Sequence, residues 1–476
     1  MKITHVVAEI YPLAAVGGYS KVVEALTEKQ SEENIVNIIT PYYSSIPNYI
    51  KNDITKMQNM SVIDKDTTLI IDYAILKISK NKTIFLIHHK DYYQYRTNIY
   101  GYTDDANRWA YLSYIALKLI EAGIIETDVI HTHDWHTGIL QNFKDQYFPK
   151  LNIPVVFTIH NLKFQAMFDH RNSDLQNYDK YQDLYGYKST QLQKLNFLKR
   201  AIKYADRCVF VSKGYMDEVL NGINDELLLP ILTKQKKNLS YVLNGIDQTF
   251  NPLDCKIYSK YDKHTYYKKN QNKEFLQKKL KLLVSKQVPL ICFVGRLTEQ
   301  KGISLLIKIL PVILRNSNAQ FVLLGGGDSN FLPKLREIEK KFKGRVYIYG
   351  KSDFDIAPQV FASSDLCLIP SIFEPCGIVP MEAQIFGCVP IVHSTGGLKD
   401  TTIDYNLDKL KATGFVFKNN DKDNFVFIIS QALALYQNKP EWQRIVTNAM
   451  SQDFSWDKSA LEYMKIYNKA VNVANT

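Results

Sequence analysis

Two glutamates lie eight positions apart, Glu374 and Glu382, in a segment that also contains proline and glycine. Residues 370–382 read Pro-Ser-Ile-Phe-Glu-Pro-Cys-Gly-Ile-Val-Pro-Met-Glu, which predicts a loop that leads into a helix. A glutamate held between apolar residues and proline can orient sugar hydroxyls and stabilise a cationic anomeric carbon. The pattern therefore indicates chemistry on a sugar ring, with Glu374 close to that ring.

Two cations, Arg296 and Lys301, lie five residues apart after an apolar run and are bracketed by Gly295 and Gly302. A diphosphate leaving group gains negative charge as a glycosidic bond breaks, and fixed cations stabilise that charge. The pair could replace the divalent metal of other nucleotide-sugar enzymes, because no Asp-x-Asp motif stands out. The bracketing glycines favour this interpretation over an ordinary pair of surface cations.

The segment 131–136 reads His-Thr-His-Asp-Trp-His at the end of another apolar run. His131 and His133 have the spacing of metal ligands, but a metal site needs further ligands on later strands, and the sequence does not supply them. A sugar site explains the segment better. The carboxylate of Asp134 can accept hydrogen bonds from hydroxyl groups, and Trp135 can stack on a sugar or pack in the protein.

Further polar or glycine-rich segments also follow apolar runs. His160 and Asn161 directly follow the run 154–159. This position favours a functional role for the histidine over a purely structural one. The pair Gly17-Gly18 and the segment 394–398 would let a backbone approach a phosphate closely. The first pair matches neither a dinucleotide fingerprint nor a Walker loop, so a simple turn remains an alternative for it.

These segments need a scaffold, and the apolar runs predict parallel sheets in an α/β fold. We expect two Rossmann-like, doubly wound domains with a ligand cleft between them, since ligands bind at the carboxyl ends of such strands. The expected domains are 1–245 and 246–455, and a helix in 456–476 should pack back on the first. The predicted strands are 3–8, 36–40, 83–88, 128–131, 154–159, 207–211, 240–243, 289–294, 320–324, 346–348, 366–369 and 389–392.

Composition narrows the class of protein. The chain has 476 residues, of which 46% are hydrophobic, and it contains no run of about 18 apolar residues, so we expect no membrane span. The net charge of +11 is the only feature that would favour nucleic acid, and much of it lies in 256–285, which we interpret as a solvated connecting region. Six cysteines without a CxxC pair and the absence of a signal-peptide pattern predict a cytoplasmic protein, or an organellar one without a recognisable transit peptide.

Taken in order, these motifs resemble the bacterial glycogen synthase and plant starch synthase family, over nearly the full length. The segments that carry the resemblance are 104–109, 133–136, 158–161, 196–199, 243–247, 251–252, 296–302, 373–377, 395–398 and 453–456. The family has the GT-B fold, and the resemblance implies transfer of glucose from ADP-glucose, or UDP-glucose in some members. The acceptor would be the non-reducing end of an α-1,4-glucan such as glycogen or a maltooligosaccharide. Transfer would proceed with retention, by a front-face path, with no metal and no cofactor beyond the nucleotide sugar.

The resemblance also implies roles for individual residues. His160 would contact glucose near the reacting centre, Glu374 would orient the glucose, and Arg296 with Lys301 would hold the diphosphate. Residues that would line the donor site are Gly17, Gly18, Asn244, Glu382, Thr395, Gly396 and Gly397. Residues that would bind sugar are Asp134, Trp135, Asn161, Cys376 and Gly377.

The chain departs from the family pattern at several positions. Ala15 replaces the usual lysine of the first glycine loop, Tyr19 replaces a leucine, and Ile372 replaces an arginine. Losing one charge-assisted phosphate contact costs about 1.5–3 kcal/mol, which Lys21 could partly restore. Glu382 gives the Glu-x7-Glu pattern of a wider retaining family, in which the second glutamate binds ribose hydroxyls. Two alternatives follow: a related transferase with another acceptor, or a non-catalytic glucan-binding relative.

Overall fold

The structure, a computed structural model, describes residues 1–64, 67–169, 194–223, 227–353 and 355–474. The chain forms two compact units. The first unit consists of Met1–Val211, Val219–Gly245 and Trp456–Thr476, and the second of Ser212–Glu218 and Ile246–Ser455. The short segment Ser212–Glu218 belongs to the second unit, whereas the expected first domain, 1–245, included it.

Strands and helices alternate along both units. The first strands and helices are β1 Lys2–Val6, α1 Tyr19–Ser31, β2 Ile35–Pro41, α2 Asn48–Lys51, β3 Gln58–Asp64, β4 Thr67–Lys77, β5 Lys82–His88, α3 Asp105–Glu121, β6 Val129–His133, α4 Leu140–Tyr147, β7 Val155–Ile159, β8 Met167–Asp169, β9 Lys194–Asn196, α5 Phe197–Tyr204, β10 Arg207–Phe210, α6 Lys213–Leu220, α7 Leu229–Lys234 and β11 Leu239–Tyr241. They continue with α8 Lys269–Lys279, β12 Leu290–Val294, α9 Ile303–Asn316, β13 Gln320–Leu324, α10 Leu332–Lys341, β14 Val346–Ile348, α11 Ala357–Ser363, β15 Leu366–Ile369, α12 Ile378–Ile385, β16 Val389–His393, α13 Leu398–Thr401, β17 Phe415–Phe417, α14 Lys422–Gln437, α15 Lys439–Met450 and α16 Trp456–Ala474.

The sheet of the first unit reverses its strand order at its centre. Among the described residues, its order is β11-β10-β7-β6-β1-β2-β5-β4-β3. The strands from β11 to β5 pair in parallel, and β4 and β3 add an antiparallel edge. The chain builds outward from β1 in one direction and from β6 in the other. The carboxyl ends of β1 and β6 therefore form a switch point, where doubly wound folds bind ligands.

The second unit repeats this design in a parallel sheet ordered β14-β13-β12-β15-β16-β17 in the part of the chain that the structure describes. Its switch point lies between β12 and β15, which are in register at Ile291 and Leu366. Both residues are fully or almost fully buried, as expected for strands covered by helices on both faces. The two sheets confirm the predicted α/β class with Rossmann-like units.

The twelve predicted strands all coincide with observed strands, and their ends differ by at most two residues. Five observed strands were not predicted from the sequence: β3 and β4, which form the antiparallel edge, and β8, β9 and β17. In β4 the run 67–77 carries Asp72 between apolar residues, because a strand in the antiparallel part of a sheet can have one face toward solvent. This pattern is weaker than the near-continuous apolar runs of the central strands.

The interpretation of 256–285 as a solvated connecting region is wrong at two lysines of α8. Lys269 and Lys273 are buried, and Lys273 Nζ lies 2.6 Å from Asp365 Oδ2. Lys269 Nζ donates to the carbonyl oxygens of Phe361 and Phe386 at 2.6 and 2.9 Å, and burial lowers the pKa of Lys269 to about 8. A lysine stem can fill a core when its amine finds acceptors, which composition alone does not reveal.

Helix α16 belongs to the first unit. Tyr463 and Tyr467 are buried there, and the Gln30 amide donates to the Tyr467 hydroxyl at 2.9 Å. A Cβ on Gly245 would lie 2.7 Å from the Trp456 nitrogen, so the start of α16 packs directly on the last residue of the preceding segment. Among the described residues, every helix is too short or too polar to cross a bilayer.

Candidate functional site

Asp134 follows β6 at the switch point of the first unit and holds the residues that follow β7. Its backbone has a φ of 51°, which is uncommon for a residue with a side chain. Its Oδ1 accepts from the backbone N–H of His160 at 2.7 Å and of Asn161 at 3.3 Å. Burial raises the pKa of Asp134 to about 7, against the opposing effect of these two hydrogen bonds. The structure thus brings three predicted sugar-binding residues together.

His160 is a neutral imidazole at physiological pH, because burial lowers its pKa to about 3. Its Nε2 lies 3.1 Å from His133 Nδ1. The Tyr19 ring packs edge-on against it with centroids 4.9 Å apart. A neutral ring can donate one hydrogen bond and accept one, which suits contact with sugar hydroxyls. It cannot serve as a fixed cation for a phosphate.

His131 and His133, which the sequence offered as possible metal ligands, are joined by His5 from β1. The three rings are buried, and one nitrogen from each lies within 4.8 Å of the others. All six ring nitrogens have a polar partner within 3.1 Å, in the pairs His5–Gln30, His5–His133, His133–His160, His131–Thr158 and His131–Tyr467. Hydrogen bonding within the protein therefore accounts for this cluster. His5 was missed because it lies within β1, where only burial was expected.

Glu9 holds the glycine loop after β1 by a hydrogen bond, and the sequence did not predict it as a site residue. The Glu9 carboxylate accepts from the Val16 backbone N–H and from the Tyr100 hydroxyl, each at 2.5 Å. Burial raises the pKa of this carboxyl group. Gly17 and Gly18 are exposed, and a Cβ added at either would meet no atom within 4 Å. The protein itself therefore does not require glycine there for space.

The other predicted residues of the first unit differ in whether their side chains already have partners within the protein. Trp135 is partly buried and packs against the rings of Trp109 and Phe168, with centroids 6.1 Å apart in each case. The Asn161 Oδ1 accepts from the Lys163 backbone N–H at 3.0 Å. Asn244 is buried, and its Oδ1 accepts no hydrogen bond from any described residue. An orphaned buried acceptor of this kind is suited to a ligand donor.

In the second unit, two predicted residues form an ion pair. Lys301 Nζ lies 2.5 Å from Glu374 Oε2, and the side chains are only 17% and 12% exposed. The Ser371 hydroxyl donates to the same carboxylate oxygen at 3.1 Å. Arg296 is exposed, and no acidic partner is found for it in the described parts of the chain. The site thus holds one compensated and one uncompensated cation.

Gly302 allows this ion pair to form. It has a φ of +72°, and a Cβ there would lie 2.0 Å from the Pro370 carbonyl oxygen. The Gln300 carbonyl accepts from the Ile372 backbone N–H at 2.8 Å, which joins the two loops. The loop that follows β12 can therefore lie against the loop that follows β15 only without a side chain at this position.

The loop 394–398 is not an open phosphate nest in this structure. The Gly396 N–H and the Thr395 hydroxyl donate to the Glu218 carboxylate at 2.9 and 3.2 Å, and the Gly397 N–H donates to the Glu374 carbonyl at 2.9 Å. Protein acceptors occupy the groups that we expected to face a phosphate. The loop instead supports the backbone of Glu374. Glu218 was missed because it is about 180 residues distant in sequence.

The remaining predicted residues lie beside this support. A Cβ on Gly397 would lie 1.9 Å from the Cys376 carbonyl oxygen, so the two backbones touch. Cys376 is 7% exposed, and Gly377, with a φ of +88°, precedes the first residue of α12. Glu382 lies on α12 and is partly buried. The donor-site and sugar-binding roles of these residues remain predictions.

Alanine at two glycines should separate ligand contact from structural support. We expect Gly17→Ala to keep the stability of the protein but raise the Michaelis constant for the donor about tenfold, because the new methyl group faces open space that a ligand would fill. We expect Gly397→Ala to lower the free energy of unfolding by about 3 kcal/mol, because its methyl group overlaps Cys376. Urea titration and donor kinetics on both variants measure this. An unchanged Michaelis constant in Gly17→Ala would mean that Gly17 forms only a turn.

The chain is similar to known proteins over its whole length. Residues 2–234 match the family model "Starch synthase catalytic domain", and residues 272–451 match "Glycosyl transferases group 1". A glycogen synthase of Clostridioides difficile (strain 630) is 35% identical, over 98% of this chain and 99% of its own length. A glycogen synthase of Bacillus cereus (strain Q1) is 34% identical with the same coverage.

Solved structures agree with these sequence relatives. The catalytic domain of starch synthase IV from Arabidopsis thaliana, bound to ADP and acarbose, has a TM-score of 0.87 and 29% identity over 99% of both chains. A sucrose-phosphate synthase from Thermosynechococcus elongatus, at 17% identity and a TM-score of 0.63, shares the fold.

The two doubly wound units, with polar clusters at their switch points, define a glycosyltransferase of the GT-B fold. The identity to curated relatives over the whole chain is more specific. The chain belongs to the glycogen synthase family and is a glycogen synthase-like glucosyltransferase.

Proposed function

We propose that the protein transfers glucose from ADP-glucose to the non-reducing end of an α-1,4-glucan, with retention of the anomeric configuration and without a metal ion. The observation that carries the proposal is the partly buried ion pair between Lys301 and Glu374, with Arg296 left uncompensated nearby in sequence. A relative at 29% identity binds ADP and acarbose, which supports an adenine nucleotide as the donor and a glucan as the acceptor. We infer that this reaction takes place in the cytoplasm.

Arg296 and Lys301 would stabilise the diphosphate as it leaves. Arg296 is exposed and free of an acidic partner in the described residues, so it can receive a phosphate without first losing an ion pair. Lys301 is already fixed by Glu374, so little reorganisation is needed when charge develops on the leaving oxygen. Glu374 would use its remaining lone pairs on the glucose hydroxyls, and Glu382 would bind the ribose.

The first unit would supply neutral contacts to the sugars. His160 has no charge at physiological pH, so its ring would exchange hydrogen bonds with glucose rather than attract phosphate. Asp134 would lie near the donor and acceptor sugars. Gly17 and Gly18 leave open space for the nucleotide sugar, and Asn244 offers a buried acceptor that is unsatisfied among the described residues.

Incubation of the purified protein with labelled ADP-glucose or UDP-glucose and glycogen tests the proposal. We expect label to enter amylase-sensitive polymer, at least tenfold faster from ADP-glucose, in the absence of divalent metal. Lys301→Ala serves as the inactive control. Donor hydrolysis without polymer would instead indicate another acceptor. Glycogen binding without any donor turnover would indicate a non-catalytic relative and would contradict the proposal.

A further inference from the structure

A continuous line of buried hydrogen bonds leads from Gln30 on α1 to His160 at the end of β7. Gln30 Oε1 lies 2.8 Å from His5 Nε2, and His5 Nδ1 lies 3.0 Å from His133 Nε2. His133 Nδ1 then lies 3.1 Å from His160 Nε2. Gln30, His5 and His133 are at most 2% exposed, so solvent does not compete for these bonds.

The chemistry of Gln30 gives this line a direction. A neutral imidazole has one N–H donor and one bare nitrogen, and an amide oxygen only accepts. His5 must therefore carry its proton on Nε2 and accept at Nδ1. His133 must in turn donate from Nε2 and accept at Nδ1. The last member, His160, must carry its proton on Nε2, which leaves its Nδ1 bare.

A second branch begins at the amide nitrogen of Gln30. Gln30 Nε2 lies 2.9 Å from the Tyr467 hydroxyl, which lies 2.7 Å from His131 Nδ1. His131 Nε2 lies 2.7 Å from the Thr158 hydroxyl. Turning the amide over would reverse every bond in both branches and would move the His160 proton to Nδ1. The amide of Gln30 is therefore the group whose orientation selects between two complete networks.

We propose that Gln30, through His5 and His133, is a positioning residue that fixes His160 as the tautomer with a proton on Nε2 and a bare Nδ1. Among the described residues, no polar atom is paired with His160 Nδ1, so this nitrogen is left to accept a hydrogen bond from a sugar hydroxyl. Burial keeps these histidines neutral. Only a neutral ring donates from one nitrogen and accepts at the other, so only neutral rings let the proton position on one histidine determine that on the next. The consequence for catalysis rests on the proposed role of His160 at the glucose.

Three variants test the proposal. Gln30→Met removes the amide at similar volume, whereas Gln30→Glu keeps an acceptor for the His5 N–H and so keeps the direction of the line toward His160. Gln141→Met, which removes another buried glutamine side chain of the first unit, is the matched control. Nitrogen-15 labelling of the histidine rings identifies the protonated nitrogen by NMR, and donor kinetics follow kcat and the Michaelis constant.

We expect His160 to be protonated on Nε2 in the wild type, in Gln30→Glu and in Gln141→Met, and to become a mixture in Gln30→Met. The kcat of Gln30→Met should fall about tenfold to a hundredfold with little change in the donor Michaelis constant, as for other partners that orient a functional histidine. Gln30→Glu should recover most of the kcat, which a loss of packing alone would not explain.

A proton on Nδ1 in the wild type, or an unchanged tautomer in Gln30→Met, would overturn the proposal. A changed tautomer with unchanged kcat would support the role of Gln30 and contradict the proposed role of His160 in transfer. If Gln30→Met does not fold, Tyr467→Phe removes the hydroxyl that pairs with the amide nitrogen and keeps the ring. The same mixture of tautomers at His160 is then expected, and its absence would contradict the proposal.

Discussion

Glu374→Gln is expected to lower the kcat of glucosyl transfer by about a thousandfold while the protein remains folded. The amide keeps the shape of the carboxylate, and its oxygen can still accept from Lys301 and Ser371. It removes the negative charge that compensates Lys301 and that would stabilise a cationic anomeric carbon. Removing one such preorganised electrostatic group typically costs about a hundredfold to a thousandfold in kcat.

The matched control for this variant is Glu339→Gln. Glu339 forms an ion pair with Arg336 at 2.6 Å in the same unit, away from the strand ends that carry the site. Its loss should leave kcat within about twofold of the wild type, since a partly exposed ion pair contributes little. A Glu374→Gln variant that retains a third or more of the wild-type kcat would show that Glu374 has no electrostatic role in the reaction.

The first unit is expected to lose most of its stability between pH 6.5 and pH 5, because it buries several neutral histidines. Burial lowers the pKa of His5 to about 4 and that of His136 and His160 to about 3, and it lowers the pKa of His131 and His133 well below the ordinary histidine value. When the chain unfolds, each returns to a pKa near 6.5 and takes up a proton at acid pH. His5, His136 and His160 each contribute about 2 kcal/mol at pH 5, together about 6 kcal/mol, and the other two histidines act in the same direction.

The sign follows from proton binding. Below pH 6.5 the unfolded state binds more protons than the folded state, so stability is full above that pH and falls as the pH falls toward the folded pKa values. Asp134 acts in the opposite direction, because its pKa of about 7 in the folded state makes the folded state bind the extra proton. Burial also raises the pKa of Glu9, Glu24 and Asp145, which therefore act in the same direction as Asp134. Their shifts are smaller than those of the five histidines, so the loss on acidification dominates.

Urea titrations at several pH values measure this effect. His136→Phe should make the dependence on pH shallower by about one proton, since the His136 ring packs among Tyr100, Trp109 and Trp135 and phenylalanine can occupy that place. His264→Gln, at an exposed histidine, should leave the dependence unchanged. A urea midpoint that stays constant from pH 7 to pH 5 would contradict the prediction.

The sequence predicts the strands that carry the site because a strand covered on both faces must be largely apolar. This rule locates the central strands, places Asp134 and His160 directly after two of them, and places Glu374 in the loop that follows a third. It does not reach β3 and β4 at the edge of the first sheet, where one face is more polar. The family resemblance, carried by several ordered motifs, was confirmed by relatives that match the whole chain.

The contacts that hold the site are harder to predict, because they join residues that are distant in sequence. Nothing in the local pattern indicates that Glu218 occupies the Gly396 N–H, or that His5 completes a line to His160. The buried Lys269 shows the same difficulty, since its role depends on two carbonyl groups almost 100 residues or more away. Residue type and spacing predict which groups could bind a ligand. The tertiary structure determines which of those groups are already hydrogen-bonded within the protein.

The first unit is discontinuous, with α16 contributed after the whole of the second unit. During synthesis on a ribosome, Gln30 and His131 emerge more than 300 residues before Tyr467, to which both are hydrogen-bonded. The nascent first unit must therefore wait for translation of the second before its buried polar network can close. A fragment that ends at residue 245 would lack that partner.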